Sequence, residues 1–100
     1  MARGSIAIHP EAVLEAHAAR VWYSARSPAA GRASLEELDR AVDRIGQAPD
    51  QWSPYGEGLR RYLLHRFPFS VIYRERDGEI VIIAVAHERR RPGDWKERVG

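Results

Sequence analysis

The stretch I-V-I-I-A-V-A-H-E-R-R-R-P-G-D-W, from Ile80 to Trp95, decides the fold of this chain. Its first seven residues are all apolar, and they lead directly into His87, Glu88 and three consecutive arginines. A strand with one wet face alternates apolar and polar residues, whereas this stretch has no polar position before His87. We therefore expect a strand buried on both faces, with helices on one face and either the C-terminal segment or another protein on the other.

Two more strands precede this one. Residues 59–66 and 69–76 are strand-like, and Asp77-Gly78 is a strong hairpin signal that leads into the last strand, residues 79–87. The last two strands are therefore predicted to be antiparallel neighbours. Residues 48–58 contain two prolines and show no periodicity, which predicts a loop.

The N-terminal half is predicted to contain one strand and two helices. Residues 5–9 alternate as a short strand that Pro10 ends, and residues 11 to about 25 favour a helix. One stripe of this first helix is apolar, with Val13 and Trp22 widening it. The stripe consists of Ala12, Ala16, Ala19 and Tyr23.

Ser27 and Pro28 are suited to the N-cap and the first position of a second helix, and Gly46 is suited to its C-terminal cap. Its apolar positions recur at helical spacing. They are Leu35, Leu38, Val42 and Ile45. A glycine inside a helix costs about 1 kcal/mol, so Gly31 leaves open a later start at Ser34, which has capping-box spacing with Glu37. A two-helix hairpin is thus predicted to pack on a mainly antiparallel four-stranded sheet, in the α+β order β-α-α-β-β-β with a short C-terminal segment.

Composition limits the class of protein. One hundred residues suit a single domain, residues 1–100, and the absence of cysteine removes disulfides, thiolate nucleophiles and thiolate zinc sites. No apolar run is long enough to span a bilayer and no signal peptide is evident, so we expect a cytoplasmic protein without a membrane role. The four histidines lack metal-ligand spacing, and there is no Gly-rich phosphate loop, so neither metal nor cofactor is expected.

The basic residues favour an anionic partner. Of 16 bases only Lys96 is a lysine, and arginine binds phosphate or carboxylate with two hydrogen bonds. Residues 1–50 carry 6 bases and 7 acids, whereas residues 51–100 carry 10 bases and 7 acids. In the predicted strand Arg60 and Arg61 point to opposite faces. His87 could act as an acid, a base or a phosphate ligand, or simply bond to the backbone at the strand end.

The stretches G-L-R-R-Y-L-L-H-R-F-P-F-S-V-I-Y-R (58 to 74) and I-V-I-I-A-V-A-H-E-R-R-R-P-G-D-W (80 to 95) resemble the RelE/ParE superfamily of toxins from bacterial type II toxin–antitoxin modules. I-A-I-H-P-E-A (6 to 12), W-Y (22 to 23) and L-E-E-L-D-R-A-V-D-R-I (35 to 45) fit the same family in order and spacing. The resemblance implies a small toxin held inactive by a co-encoded antitoxin, in a toxin–antitoxin hetero-oligomer.

The superfamily divides into RelE-like members that cleave messenger RNA on the ribosome and ParE-like members that poison DNA gyrase. In the RelE-like pattern arginine, apolar, apolar, tyrosine, this chain has S-V-I-Y (70 to 73), and Trp95 stands near the position of a C-terminal tyrosine. The resemblance therefore favours gyrase, with a ribosome-dependent endoribonuclease as the alternative, and leaves open whether the chain is an enzyme. The catalytic candidates for a ribonuclease are Arg61, His87, Arg89 and Arg90. The candidates for target binding are Arg60, Arg61, Arg66, His87, Arg89, Arg90, Arg91 and Trp95.

Overall fold

A computed structural model of the chain describes residues 5–89 and residue 98. Two helices follow a short strand, and the remaining strands form the second half of the chain. The elements are β1 (Ile6–Ile8), α1 (Pro10–Arg26), α2 (Pro28–Gln47), β2 (Ser53–Pro54), β3 (Leu59–Leu63), β4 (Phe69–Arg76) and β5 (Glu79–His87). The α+β class and the order of the predicted elements are confirmed.

The sheet has five strands in the order β1-β5-β4-β3-β2. β1 pairs with β5 in parallel, and the other neighbours are antiparallel. The prediction of four strands misses β2, a two-residue strand within the segment predicted to be a loop. The sequence does not reveal β2, because a strand of two residues is too short to show an alternating pattern and the segment around it contains two prolines. β3 also ends three residues earlier than predicted.

Caps fix the start of both helices. The imidazole Nδ1 of His9 accepts a hydrogen bond from the N–H of Glu11 at 3.1 Å, and the hydroxyl of Ser27 accepts one from the N–H of Ala30 at 3.3 Å. The second helix therefore begins after Ser27 as predicted, and the later start at Ser34 is wrong. Its predicted end is also wrong, because Gly46 is buried inside the helix and Ala48 is the C-cap.

Gly31 lies inside α2 because α1 passes against it. A Cβ atom built at this position would overlap the Ser24 hydroxyl and lie 2.9 Å from Ser24 Cβ. The close approach of the two helix backbones thus accounts for a glycine that helix propensity alone disfavours.

The main core lies between the helices and one face of the sheet. Ala12 of α1 and Ile45 of α2 are fully buried there against β4 and β5, and Ile6 packs at the margin. The predicted stripe of α1 is confirmed on this face in Ala12 and Ala19. Its predicted widening is wrong, because Val13 and Trp22 are each 51% exposed.

The opposite face of the sheet holds a second buried cluster. Ile72, Ile83 and Ala84 are at most 1% exposed, and Tyr55 packs against the cluster from the segment between β2 and β3. The prediction that β5 is buried on both faces is confirmed. The sheet does not require another protein as its second cover, because this face is already buried within the chain.

A β-bulge in β5 determines which side chains point to the helices. Ile82 pairs with Tyr73 while Ala84 pairs with Ile72, so Ile83 is an extra residue without a partner position. Beyond the bulge the alternation is inverted, because one inserted residue moves every following side chain to the other face. Val85 consequently joins the main core, and His87 lies on the same face as Val85.

Candidate functional site

A groove of about 460 Å³ runs between α1 and the end of the sheet where β5 finishes. We call it the α1–β5 groove. Apolar and aromatic side chains line most of it, with a carboxylate at one end and an imidazole at the other. The lining residues are Glu15, Ala18, Ala19, Trp22, Tyr23, Pro68, Phe69, Val85 and His87.

A chain of aromatic rings forms one wall of the groove and continues into the β3–β4 connection. The ring centroids of Tyr23 and Phe67 are 4.7 Å apart, those of Tyr23 and Phe69 are 6.4 Å apart, and those of Phe69 and His87 are 5.1 Å apart. All three contacts are edge-to-face, the arrangement that the ring quadrupoles favour. The wall is therefore held by packing between α1, the loop and β5.

His87 is held by the backbone of the turn that follows it. Its Nδ1 accepts a hydrogen bond from the N–H of Arg89 at 3.0 Å. The imidazole thus carries its proton on Nε2 when neutral, because Nδ1 is the acceptor. This contact agrees with a structural role at the strand end, and it orients the ring beside Phe69.

Tyr23 and Trp22 differ in exposure at the α1 wall. Burial raises the pKa of the Tyr23 phenol above its usual value of 10.0, while the nearby Arg26 lowers it. The phenol therefore remains a neutral hydrogen-bonding group at physiological pH. Trp22 is half exposed, and the guanidinium carbon of Arg26 lies 3.3 Å from its ring centroid. The stacked guanidinium covers one face of the indole, and about half of the Trp22 side chain remains exposed at the end of α1.

Charged groups occupy the other end of the groove. The Glu15 carboxylate accepts a hydrogen bond from the N–H of Val85 at 2.9 Å and forms an ion pair with Arg98 at 2.9 Å. Arg98 also donates to the carbonyl oxygen of Ile83 at 3.2 Å. These contacts connect α1 to the outer edge of β5.

Arg66, His87 and Arg89 lie at the same end of the sheet. The β3–β4 connection meets the turn after β5 there, since the N–H of Glu88 donates to the carbonyl oxygen of Pro68 at 2.8 Å. The backbone of Arg66 is fixed by Glu37, whose buried carboxylate accepts from the N–H groups of His65 and Arg66. We call Arg66, His87 and Arg89 the basic rim.

Arg60 and Arg61 lie elsewhere and on opposite faces of the sheet, as predicted. Arg60 pairs with Tyr73 and donates to the carbonyl oxygen of Trp52 at 2.6 Å, so it ties β3 to the loop after α2. Arg61 pairs with Ile72 on the second face, where its guanidinium lies 5.0 Å from the Tyr55 ring centroid. Its buried Nε has no hydrogen-bond partner among the described residues.

The remaining predicted site residues, Arg90, Arg91 and Trp95, lie outside the described residues. Within residues 5–89 and residue 98, no group of three or more His, Cys, Asp or Glu side chains could hold a metal ion. In the same part of the chain, no helix has the length and apolar content needed to cross a membrane.

Sequence reasoning did not identify the groove as a site. The sequence pattern places Trp22 and Tyr23 on the core face of the first helix, and Phe67 and Phe69 fall within the stretch 58 to 74 that resembles the toxin family. A detectable signal is present in α1, where Leu14 and Val21 add apolar residues outside the predicted stripe. Glu15 carried no sequence signal, because its partners are 70 and 83 residues away in the chain.

The fold and the site together define a class of protein: a small α+β domain with a helical hairpin on one face of a mixed sheet, an apolar groove and a basic rim. The helical hairpin packed on one face of the sheet is the part of this architecture that the resemblance to the RelE/ParE toxins implies. A family model described as the ParE toxin of the type II toxin–antitoxin system parDE matches residues 6–92. The chain belongs to the ParE toxin family.

Comparison with solved structures supports the same fold. A chain of the chromosomal ParDE toxin–antitoxin system from P. aeruginosa superposes with a TM-score of 0.76 and 22% sequence identity. The superposition covers 85% of this chain and 96% of that chain. At this identity the likeness concerns the fold alone. No curated protein matches the chain.

Proposed function

We propose that this ParE-family toxin inhibits growth by poisoning DNA gyrase and that a cognate antitoxin neutralises it by covering the exposed apolar face of α1. Membership of the family by itself specifies neither DNA gyrase as the target nor α1 as the surface that the antitoxin covers. The observation that supports binding over cleavage is the placement of Arg61 and His87, two of the predicted ribonuclease residues, on opposite faces of the sheet, which leaves Arg89 as the described catalytic candidate beside His87.

Cleavage of messenger RNA requires groups that activate a ribose hydroxyl, stabilise phosphate charge and protonate the leaving oxygen at one phosphodiester. Arg61 lies opposite Ile72 of the second-face cluster, whereas His87 lies on the helix face beside the aromatic wall. Both cannot act on one phosphate from these positions. Ser70, at the position of the RelE-like arginine, is only 5% exposed and offers no cation. This arrangement supports a toxin that binds its target over one that cleaves it.

The basic rim supports protein recognition. The Arg66 guanidinium lies 5.9 Å from the Phe67 ring centroid, and Arg89 is exposed two residues after His87. Interfaces use arginine and aromatic side chains as their main anchors. Exposed arginines there would meet an acidic surface on the target at little cost in desolvation. We propose that the rim contacts gyrase in the cytoplasm, where the enzyme acts.

The test uses gyrase, ATP and relaxed plasmid with the purified toxin. We expect loss of supercoiling together with linear DNA trapped on the enzyme. The double variant Arg66→Ala/Arg89→Ala should weaken this inhibition about tenfold or more, because both rim cations are lost. Arg40→Ala, an exposed arginine on the outer face of α2, is the matched control and should inhibit like the wild type.

Unimpaired supercoiling by the folded wild-type toxin would contradict the gyrase proposal. Translation reactions with purified ribosomes then distinguish the alternative, since a ribosome-dependent ribonuclease leaves cut messenger RNA. In that case His87→Ala should abolish cutting. If the rim double variant inhibits gyrase as strongly as the wild type does, gyrase remains the target but the basic rim is not the surface that contacts it.

A further inference from the structure

The outer edge of β5 is only partly covered by β1. β1 pairs with residues 80–82, and the N–H of His9 then donates to the carbonyl oxygen of Ile82 at 2.9 Å before the chain enters α1. Among the described residues no strand pairs with this edge beyond Ile82. The next backbone groups on the edge, the carbonyl of Ile83 and the N–H of Val85, would require partners from an added strand or from side chains.

Two side chains supply those partners. Glu15 Oε1 accepts from the N–H of Val85 at 2.9 Å, and Arg98 Nη1 donates to the carbonyl oxygen of Ile83 at 3.2 Å. The carboxylate and the guanidinium also bind each other through two contacts, Nη1 to Oε1 at 3.0 Å and Nη2 to Oε2 at 2.9 Å. The side chain of Arg98 is 12% exposed and that of Glu15 is 15% exposed, so water screens this pair less than a surface ion pair.

The geometry is specific for arginine. One planar guanidinium binds the Glu15 carboxylate with two nitrogens and reaches the Ile83 carbonyl with one of them. A lysine ammonium is a compact point charge that cannot reproduce the two parallel contacts. Glu15 is also a lining residue of the α1–β5 groove, whose remaining lining is mostly apolar. The α1–β5 groove thus has a carboxylate that fits a guanidinium at one end and a mostly apolar lining beyond it.

We infer that the Glu15 end of the α1–β5 groove is a receptor for an arginine-bearing peptide segment of a partner protein, and that the chain's own Arg98 occupies this receptor in the free protein. Arg98 shows the chemistry of the ligand, because its guanidinium binds both carboxylate oxygens of Glu15 and the carbonyl oxygen of Ile83. A partner arginine must displace Arg98 before it binds Glu15. The inference rests on these contacts and does not depend on gyrase being the target.

The test compares peptide binding to three forms of the full-length protein. The probe is a synthetic peptide with the sequence DWKERVG, which is that of residues 94–100. Arg98→Ala empties the receptor and should bind the peptide. The wild type should bind it at least about tenfold more weakly, because its own Arg98 competes. Arg98→Ala/Glu15→Gln should also bind about tenfold more weakly, since a loss of about 1.4 kcal/mol corresponds to a factor of ten. Calorimetric titration measures all three affinities.

Two controls make the test specific. A peptide with alanine in place of its arginine should lose the affinity for Arg98→Ala, and Arg98→Ala/Glu11→Gln, which removes an exposed carboxylate from the first turn of α1, should bind like Arg98→Ala. Glutamine at position 15 retains an oxygen that can accept from Val85, so the double variant should remain folded, which its thermal unfolding verifies. Equal binding of the two peptides, equal binding by wild type and Arg98→Ala, or no binding at all would overturn the inference.

Discussion

The two helices lie side by side on the same sheet but differ in what they present to solvent. α2 buries one face, including Leu38, Ala41 and Ile45. α1 buries only Ala12 and Ala19 fully and leaves large apolar side chains about half exposed. These exposed residues of α1 are Val13 at 51%, Leu14 at 60%, Val21 at 50% and Trp22 at 51%.

The two helices also differ in their polar contacts to the rest of the fold. α2 and the residues just after it are tied to the strands through Glu37, through the hydrogen bond from Arg44 to the Tyr62 hydroxyl at 3.0 Å, and through the Tyr73 hydroxyl, which donates to the carbonyl oxygen of Pro49 at 2.6 Å. The described long-range polar contact of α1 is the one at Glu15. α2 thus supplies more of the described buried and polar contacts, whereas α1 presents the exposed apolar face that we propose for recognition.

The largest effect is expected in the core face of α2. Ile45 is fully buried, so Ile45→Ala should lower the free energy of unfolding by about 2–5 kcal/mol through lost burial and a cavity. Leu14→Ala, which truncates a 60% exposed residue of α1, should change it by less than about 0.5 kcal/mol. Urea unfolding of both variants measures the two values. Similar losses would contradict the division between the helices.

The Tyr73 hydroxyl, which bonds to Pro49 just after α2, should make the stability of the protein depend on pH. Burial raises its pKa from 10.0 to about 12, with Arg60 lowering it and Asp50 and Glu75 raising it. In the unfolded chain the phenol releases its proton near pH 10, whereas the folded protein holds it until about pH 12. Rising pH therefore favours the unfolded state, and stability should fall by on the order of 2–3 kcal/mol between pH 10 and 12.

Urea unfolding at several pH values between 9 and 12 measures this loss. Tyr73→Phe should be less stable at pH 7, because it lacks the hydrogen bond to Pro49, but it should lose this part of the pH dependence. Tyr55→Phe, which removes a phenol from the second-face cover, is the matched control. An unchanged slope in Tyr73→Phe would show that the alkaline loss arises elsewhere.

The contact between the helices should tolerate no side chain at Gly31. Alanine usually stabilises a helix relative to glycine, but here its Cβ would overlap Ser24 of α1. We expect Gly31→Ala to lower the free energy of unfolding by about 1–3 kcal/mol. Ser24→Gly in the same chain removes the overlapping hydroxyl and Cβ and should restore part of the loss, as thermal unfolding would reveal. A stabilised Gly31→Ala would mean that the helices separate easily.

Much of the fold was predictable because the patterns are local. The uniformly apolar run of β5 predicts burial on both faces, Ser27-Pro28 predicts the start of α2, and Asp77-Gly78 predicts the hairpin. The strand number was wrong because β2 has only two residues. The bulge at Ile83 also could not be predicted from the sequence. Residues 80–86 are all apolar, so an extra residue among them changes no pattern of apolar and polar positions.

The candidate site was less predictable because it depends on that bulge and on distant contacts. Without the inversion after Ile83, His87 would point to the second face rather than to the aromatic wall. The opposite placement of Arg60 and Arg61 was predictable from strand geometry alone. The pairing of Glu15 with Arg98 was not, because nothing in either neighbourhood marks residues 83 positions apart as partners.

The smallest effect on stability and the largest on recognition are expected on the exposed face of α1. Leu14→Ser/Val21→Ser removes apolar surface that the fold does not bury, so the free energy of unfolding should change by less than about 1 kcal/mol for the pair. If the antitoxin covers this face, its affinity for the double variant should fall about a hundredfold, because each apolar side chain lost from an interface core costs about 1–2 kcal/mol.

Titration of the co-encoded antitoxin into each purified toxin measures this affinity. Asp39→Ser/Arg40→Ser, on α2, is the matched control and should bind the antitoxin like the wild type. A folded Leu14→Ser/Val21→Ser protein that binds with unchanged affinity would mean that the exposed apolar residues of α1 serve another partner. Weakened binding by both double variants would instead place the antitoxin across both helices, and the contrast between α1 and α2 would then concern stability alone.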